Sequence, residues 1–393
     1  MIVETPNQRA VAVAFDAGLA TNPDGFATAL RGFDQLTVSG VKNSLDRLSG
    51  ESHASLATTA LMAGTQFLNQ FAQQGVLART GADGSVAGQS AMAAGGRQEL
   101  ASLGGGDGDL VANVDRPWGV WASGYAQSGK LGGDGNTHRL TETLGGGMVG
   151  ADYKVLPSLR VGLGLGYGGT SFSLDDGNGR AEVDHTQLAL YANYTMGAAY
   201  LDGTIGLAYG DGTTRRNVSL PGLPATASGH VTDTQVLGSL EAGYGLGLGQ
   251  ATKLTPFAGL SFDAVDQNGF NETGAGALDL QVRKQSQSSV RSTLGARLEA
   301  GLPFGGTIVT TDLSAGWAHE FAPVGRGTLA AFAGAPGAGF QVAGARVPGD
   351  SAVVGAGLAT ALFAGTSVYV RYDGDLGGAN TTHAVTAGFK FSW

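Results

Sequence analysis

The sequence contains no cysteine. That excludes a disulfide scaffold, a thiolate metal site and a cysteine nucleophile, and it fits a protein that crosses an oxidising compartment. Proline is scarce, 11 in 393 residues, which excludes a collagen-like chain. Charged residues make up 14%, against roughly 25% in an ordinary soluble domain. Lys and Arg number 23 against 32 Asp and Glu, a net charge of −9, so nucleic acid is not an expected partner. No run of about 18 apolar residues occurs, so no transmembrane helix is expected. The opening Met1-Ile2-Val3-Glu4-Thr5-Pro6 has neither the basic nor the apolar stretch of a signal peptide. Either the protein is not exported by that route or the sequence begins after such a segment.

Glycine, by contrast, is abundant, 68 residues, or about 17% where roughly 7% is usual. Apolar residues stand at 42% and aromatics at 8%, too many for simple disorder.

The first 77 residues read as helical. Thr5-Pro6-Asn7-Gln8 is a capping box with proline at the first helical position. It opens a helix through about Leu19, with Val11, Ala14, Phe15 and Gly18 on one stripe. After the turn Asn22-Pro23-Asp24-Gly25, short helices are expected near Phe26–Arg31 and Val41–Leu48. A longer helix is assigned to 52–77. It is rich in Thr and Gln and is long enough to span about 30 Å. Residues 78–116, with Gly104-Gly105-Gly106-Asp107-Gly108-Asp109, read as a flexible linker.

From Trp118 the period becomes two. Leu159, Val161, Leu163, Leu165 and Tyr167 alternate with Arg160, Gly162, Gly164, Gly166 and Gly168. Val236, Leu240 and Ala242 alternate with Gln235, Ser239 and Glu241, and Leu294, Ala296 and Leu298 with Gly295, Arg297 and Glu299. A soluble sheet alternates too, so this pattern alone does not choose. The connections do. About twelve segments are joined alternately by tight turns, as at Leu156-Pro157 and Met196-Gly197, and by long polar loops near 129–142, 172–181, 211–229, 267–286 and 322–349. An even count with short turns at one end and long loops at the other is the layout of an outer-membrane barrel. Strands of about 10 to 15 residues exceed the roughly 5–6 of ordinary sheets. The last one sets Val385, Ala387, Phe389, Phe391 and Trp393 on one face. Closure against the first strand would remove that apolar edge.

These residues resemble a known family, the translocator domain of autotransporters (type V secretion). The terminal Phe389, Phe391 and Trp393 look like its C-terminal assembly signature. Pro256-Phe257-Ala258-Gly259-Leu260, Gly269-Phe270-Asn271-Glu272-Thr273-Gly274 and Trp317-Ala318-His319-Glu320-Phe321 are similar to family segments, as is Leu294-Gly295-Ala296-Arg297. Upstream, Thr5-Pro6-Asn7-Gln8-Arg9-Ala10-Val11 and Leu48-Ser49-Gly50-Glu51-Ser52-His53 resemble the region that leads into the translocator. The resemblance implies a mainly β fold, a twelve-stranded antiparallel transmembrane β-barrel with an N-terminal helical region and a helix through the pore. Residues 1–51 would be a short helical region like the end of a passenger, 52–77 the pore helix, 78–116 the Gly-rich linker and 117–393 the barrel. The lumen would be lined by Arg160, Gly162, Gly164, Gly166, Asp202, Glu241, Asp263, Arg291, Arg297, Glu299, Asp312 and Arg371. The inward glycines would make room for the helix, and the inward charges would pair with each other and with it.

Chemistry elsewhere is weak. Gly164-Leu165-Gly166-Tyr167-Gly168-Gly169 matches a dinucleotide fingerprint but lies inside an alternating strand rather than before a helix. The six histidines are scattered, and the Asp-Gly segments at 107–109 and 133–136 lack a full calcium ligand set. Glu51, His53 and Ser52 or Ser55 read as helix-start residues rather than a hydrolase site, with Ser52 as the cap. Trp118, Trp121, Trp317, Trp393, Tyr167, Tyr194 and Tyr209 read as interfacial girdles rather than carbohydrate platforms. No catalytic residue, metal or cofactor is expected. The expected function is carriage of an N-terminal passenger across a Gram-negative outer membrane. The expected partners are outer-membrane lipid, the barrel-assembly machinery and the covalently linked passenger, with the chain a monomer. The alternatives are a passive pore or structural barrel, and the membrane anchor of a surface hydrolase whose catalytic domain lies outside this sequence.

Overall fold

A computed structural model describes residues 3–80, 116–249, 251–304, 307–363 and 365–393. Four helices come first: α1 Pro6–Thr21, α2 Pro23–Phe33, α3 Val38–Leu48 and α4 Glu51–Thr80. Each short helix starts on the residue its sequence supplies. The Thr5 side chain accepts from the Gln8 amide and the Gln8 side chain returns to the cap, Asn22 accepts from Gly25, and Thr37 from Gly40. The chain turns into α4 at Gly50, whose φ of +72° favours glycine. Just before this turn the Ser49 hydroxyl accepts from the Glu51 amide at 3.2 Å. The side chain of Ser52, the expected cap, is instead buried. The helix extends three residues into the stretch read as linker, and of the remainder, residues 81–115 lie outside the described residues.

Twelve strands form the barrel: β1 Trp118–Leu131, β2 Leu140–Leu156, β3 Leu159–Leu174, β4 Arg180–Met196, β5 Ala199–Leu220, β6 Leu223–Tyr244, β7 Thr252–Gln267, β8 Gln285–Phe304, β9 Thr307–Glu320, β10 Asp350–Phe363, β11 Thr366–Gly377 and β12 Asn380–Ser392. Each pairs antiparallel with the next, and β12 pairs back onto β1 from Gly119↔Ser392 to Lys130↔Thr381, closing the wall. Tight turns gather at the rim that holds Trp118 and Trp393, and the long connections at the other. By the layout of such barrels these are the periplasmic and outer rims.

One long connection is not a loop. Residues 211–229 continue β5 and β6 as a hairpin paired up to Leu220↔Leu223. It stands above the membrane, where no lipid face imposes the apolar alternation by which the strands were recognised. The connections at 268–284 and 321–349 carry short strands, Phe270–Asn271, Leu280–Val282, Gly327–Phe332 and Phe340–Ala343, in a separate four-stranded sheet. Helices α1 to α3 pack on it. Phe15, Phe26, Leu45 and Leu48 share a buried core with Leu220, Leu278, Phe332, Phe340 and Val342. Phe26 stands edge-on to Phe15 and Phe332 at 5.3 and 5.9 Å. The outer rim therefore carries a folded cap with an apolar core of its own.

On the wall, Leu163, Leu190, Ile205 and Leu207 are exposed outward, with Tyr167 and Tyr209 above them and Trp118, Tyr153, Tyr194 and Trp393 at the periplasmic rim. Trp121, three residues after Trp118, faces the lumen instead and is 2% exposed. Leu163→Arg puts a charge on the lipid face, at a cost of about 2–4 kcal/mol near the midplane. We expect a reduced fraction of heat-modifiable, folded protein for Leu163→Arg and not for Leu163→Val, read on unboiled SDS gels. Equal fractions would reverse the assignment of faces.

Much of the glycine is explained by register. Trp121, Tyr125, Tyr191, Tyr200, Phe257, Phe262 and Tyr369 each lie directly across from a glycine: Gly150, Gly146, Gly162, Gly243, Gly295, Gly238 and Gly388. A Cβ on Gly162 would meet the Tyr191 ring at 2.5 Å, and one on Gly295 the Phe257 ring at 2.6 Å. Each ring occupies the space that a side chain at its cross-strand glycine would take.

Candidate functional site

Helix α4 runs through the barrel, from Glu51 at the outer rim to Thr80 near the periplasmic turn of β4 and β5. At a rise of about 1.5 Å its 30 residues extend roughly 45 Å. Ser52, Thr58, Gln66, Gln70, Gln73 and Gln74 are all buried. Such a polar helix suits a polar lumen.

Two stripes of the helix do different things. One carries Gly64, Phe67, Phe71 and Gly75. Phe71 lies under Gly164, where a Cβ would meet its ring at 2.7 Å, and Phe67 lies under Gly166 and Gly206 at 3.2 and 3.3 Å. Phe71 also packs on Trp121 and Tyr191. Gly64 presses its backbone against the Asp263 carboxylate, and Gly75 against Asp202 and Asn193. A mid-helix glycine costs about 1 kcal/mol against alanine, and this close approach to the wall accounts for both. The other stripe, Met62, Thr65, Asn69, Ala72 and Val76, lines a cavity of about 310 Å³ on the side of β8 to β11. The helix is thus pressed against β3 to β7 and leaves a gap opposite, lined by both apolar and charged side chains.

The inward glycines therefore fall into two groups. Gly164 and Gly166 do admit the helix. Gly162 is filled by Tyr191 from the neighbouring strand.

The charges pair mainly within the wall. Arg160 donates to Asp152 at 2.6 Å, and Asp152 also accepts from Tyr191 and Lys390, each at 2.7 Å. Lys390 reaches over β1 to do so, and a Cβ on Gly119 would meet its Cε at 2.9 Å. Arg297 lies 3.3 Å from Glu241, Lys253 2.9 Å from Glu299, and Arg371 2.9 Å from Asp312. Arg291 bonds Ser351 and Asp375. Asp263 is buried with neither oxygen hydrogen-bonded to protein. The helix makes fewer such contacts. Arg79 pairs with Asp202, Gln70 donates to Thr386 at 2.9 Å and accepts from Ser123 at 3.1 Å, and Gln74 donates to Tyr369 at 3.2 Å. Asp152, Lys390, Tyr191, Phe67 and Phe71 were not singled out by sequence. The parity of their strands assigns Asp152, Tyr191 and Lys390 to the inside, but their convergence depends on register.

The upper end of α4 is held by the cap. His53 Nε2 donates to Glu272 at 2.6 Å, and its Nδ1 bonds Thr214 at 3.0 Å. Glu272 also accepts from Arg216 and from the Leu280 amide, and Arg216 donates on to the carbonyl oxygens of Leu278 and Arg47. The side chains of Arg216 and Glu272 are fully buried. Burial alone would raise the Glu272 carboxyl; Arg216 and His53 outweigh it and hold that group well below the usual range. Glu51 binds His138 through the amide at 2.6 Å and the ring at 2.8 Å, and this hydrogen bond, against the opposing effect of burial, raises the histidine pKa. Ser55 Oγ accepts from the Ala345 amide at 3.1 Å, so the side chains of Glu51, His53 and Ser55 face different partners and do not converge. Among the described residues no cluster of three or more metal-ligating side chains occurs.

The terminal Phe389, Phe391 and Trp393 lie exposed on the outward face of β12, Phe391 stacked on Trp393 at 5.6 Å.

A closed barrel with an apolar outer belt, aromatic rims and a lumen plugged by its own N-terminal helix defines an outer-membrane transport domain. The family model described as the autotransporter beta-domain matches residues 120–373, and the chain belongs to that family. An extracellular serine protease of Serratia marcescens is 26% identical over 274 residues, 70% of this chain and 26% of that protein. The chain thus spans about a quarter of that relative. The translocator domain of the autotransporter NalP from Neisseria meningitidis superposes with a TM-score of 0.58 at 18% identity, covering 78% of this chain and 99% of that one. The β domain of the Bordetella autotransporter BrkA gives 0.54 at 20% identity, covering 70% and 100%. The protein is an outer-membrane autotransporter translocator, and its barrel has a transport fold, not a catalytic one.

Proposed function

We propose that the barrel carries a passenger, attached ahead of α1, across the outer membrane to the cell surface, and that it performs no catalysis itself. The observation that carries this is the direction of α4. The helix passes through the lumen with its N-terminal end at the outer rim, so a segment continuous with α1 lies outside the cell. The reading divides the chain into a helical region at 1–51, a pore helix within 52–77, a linker at 78–116 and the barrel at 117–393. The lumen charges keep the conduit hydrated, and folding of the exported segment, not nucleotide hydrolysis, gives direction. Phe389, Phe391 and Trp393 serve as the contact for the barrel-assembly machinery, and the chain works as a monomer. The similarity to an extracellular serine protease supports a hydrolase as the kind of passenger.

The test is an epitope-tagged reporter fused ahead of Met1 behind an export signal. In intact cells, added protease is expected to remove the tag. A tag that resists until the outer membrane is permeabilised would overturn the reading. An open pore would leave the tag protected and the cells permeable to small solutes.

A further inference from the structure

The outward face of the barrel above its aromatic rim carries charges that the transport reading does not use. Six residues stand in one register row: Lys130↔Thr141, Thr141↔Ser173, Ser173↔Arg180, Arg180↔Arg215 and Arg215↔Ser228. Lys130, Ser173, Arg180 and Arg215 are exposed. Arg180 and Arg215 face each other directly. Like charges in directly opposite positions destabilise a strand pair. Among the described residues neither guanidinium has a carboxylate within salt-bridge distance.

The acidic pair beneath them differs. Asp184 also faces Asp211, but the Tyr167 hydroxyl bonds Asp184 and His230 stands 3.6 Å from Asp211. Among the described residues the arginine pair, unlike the acidic pair, has no side-chain partner on the protein. Glu182 is on the same face, between the two pairs, and bridges to neither arginine.

Height selects the ligand. Tyr209 marks the upper membrane interface, and Arg215 follows six residues later on the same strand. That is about 20 Å along the strand, or roughly 15 Å along the membrane normal at a tilt near 40°. The phosphate of a glycerophospholipid lies at the level of the tyrosines and falls short. Anionic groups on a sugar headgroup reach this height. The guanidinium pair offers planar donors suited to phosphate, and Thr141, Ser173 and Ser228 add hydroxyl donors in the same row.

We propose that Arg180 and Arg215, with Lys130 and these hydroxyls, bind the phosphorylated sugar headgroup of an outer-leaflet glycolipid. The site lies outside the lumen and is independent of what the pore carries.

The full chain, refolded in detergent, is titrated with lipopolysaccharide bearing its core phosphates, with the same material dephosphorylated, and with phosphatidylglycerol. The intact protein should prefer the phosphorylated form over both others by about tenfold or more. Arg180→Ser/Arg215→Ser should remove that preference, and Arg31→Ser, on exposed α2, should keep it. Removing a like-charge pair relieves repulsion, so the double variant should keep its heat-shifted band. As a second measure, the phosphorylated glycolipid should raise the melting temperature of the intact chain and not of the double variant. Preference that survives in the double variant, is missing from the intact protein, or extends equally to phosphatidylglycerol would overturn the proposal.

Discussion

Deleting residues 1–80 should leave a barrel that inserts in a planar bilayer and conducts several-fold better than the intact chain. The wall closes through strand pairing in which α4 takes no part. Most lumen charges keep their partners, since Arg160, Arg297, Arg371 and Glu299 pair with groups on other strands. Inside the lumen Asp202, Ser123, Thr386 and Tyr369 lose polar contacts with the helix, and at the outer rim Glu272, Thr214, His138 and Ala345 lose theirs. What leaves is a cylinder about 10–12 Å wide, beside a residual gap of about 310 Å³. The melting point should fall, mainly because Phe67 and Phe71 no longer fill the wall glycines and because the cap core is halved. Phe67→Ala/Phe71→Ala, which retains the cap, tests the plug separately. Each truncation of a buried phenylalanine costs about 3–5 kcal/mol, and a loosened helix should appear as flickering conductance. If deletion leaves conductance unchanged, α4 does not occupy the pore.

The wall was legible because lipid imposes a strict period of two. Leu163, Leu165 and Tyr167 show it without any knowledge of their neighbours. The same parity assigns Trp121 to the lumen, since an odd spacing from Trp118 reverses the face; grouping the tryptophans by residue type hid this. The glycine and aromatic pairs were not legible, because Gly162 and Tyr191 are far apart in sequence and meet only through the register of β3 and β4. The cap was hidden for a related reason. Its core draws single residues from many segments, Phe15, Phe26, Leu278, Phe332 and Phe340, and none of those segments is apolar enough to announce a domain. Of the pore site, the polar helix and the inward charges could be read from pattern. Their pairing could not, because Asp152 and Lys390 are joined across β1.

Glu272→Ala should release the cap while leaving the barrel intact. Glu272 lies where three separate elements meet: His53 at the start of α4, Arg216 on the tall hairpin and the Leu280 amide of the small sheet. Through the Arg216 donation to the Arg47 carbonyl it also holds the end of α3. Removing the carboxylate strands a guanidinium and an imidazole that have no access to water. Breaking a buried ion pair in this way costs about 3–5 kcal/mol. That is comparable to the whole stability of a small domain, and the cap has no other buried charge pair of this kind among the described residues. The barrel should be insensitive, because Glu272 lies above the membrane and touches no wall pairing below Arg216. Hydrogen exchange should therefore speed up across 6–48, 270–282 and 327–343, with β1 to β4 unchanged and the heat-shifted band preserved. Glu272→Gln, which keeps the volume and one acceptor, should show a smaller effect. Uniform exchange through the wall as well as the cap would mean that the two fold as one unit, and unaltered exchange in the cap would mean that its apolar core alone holds it in place.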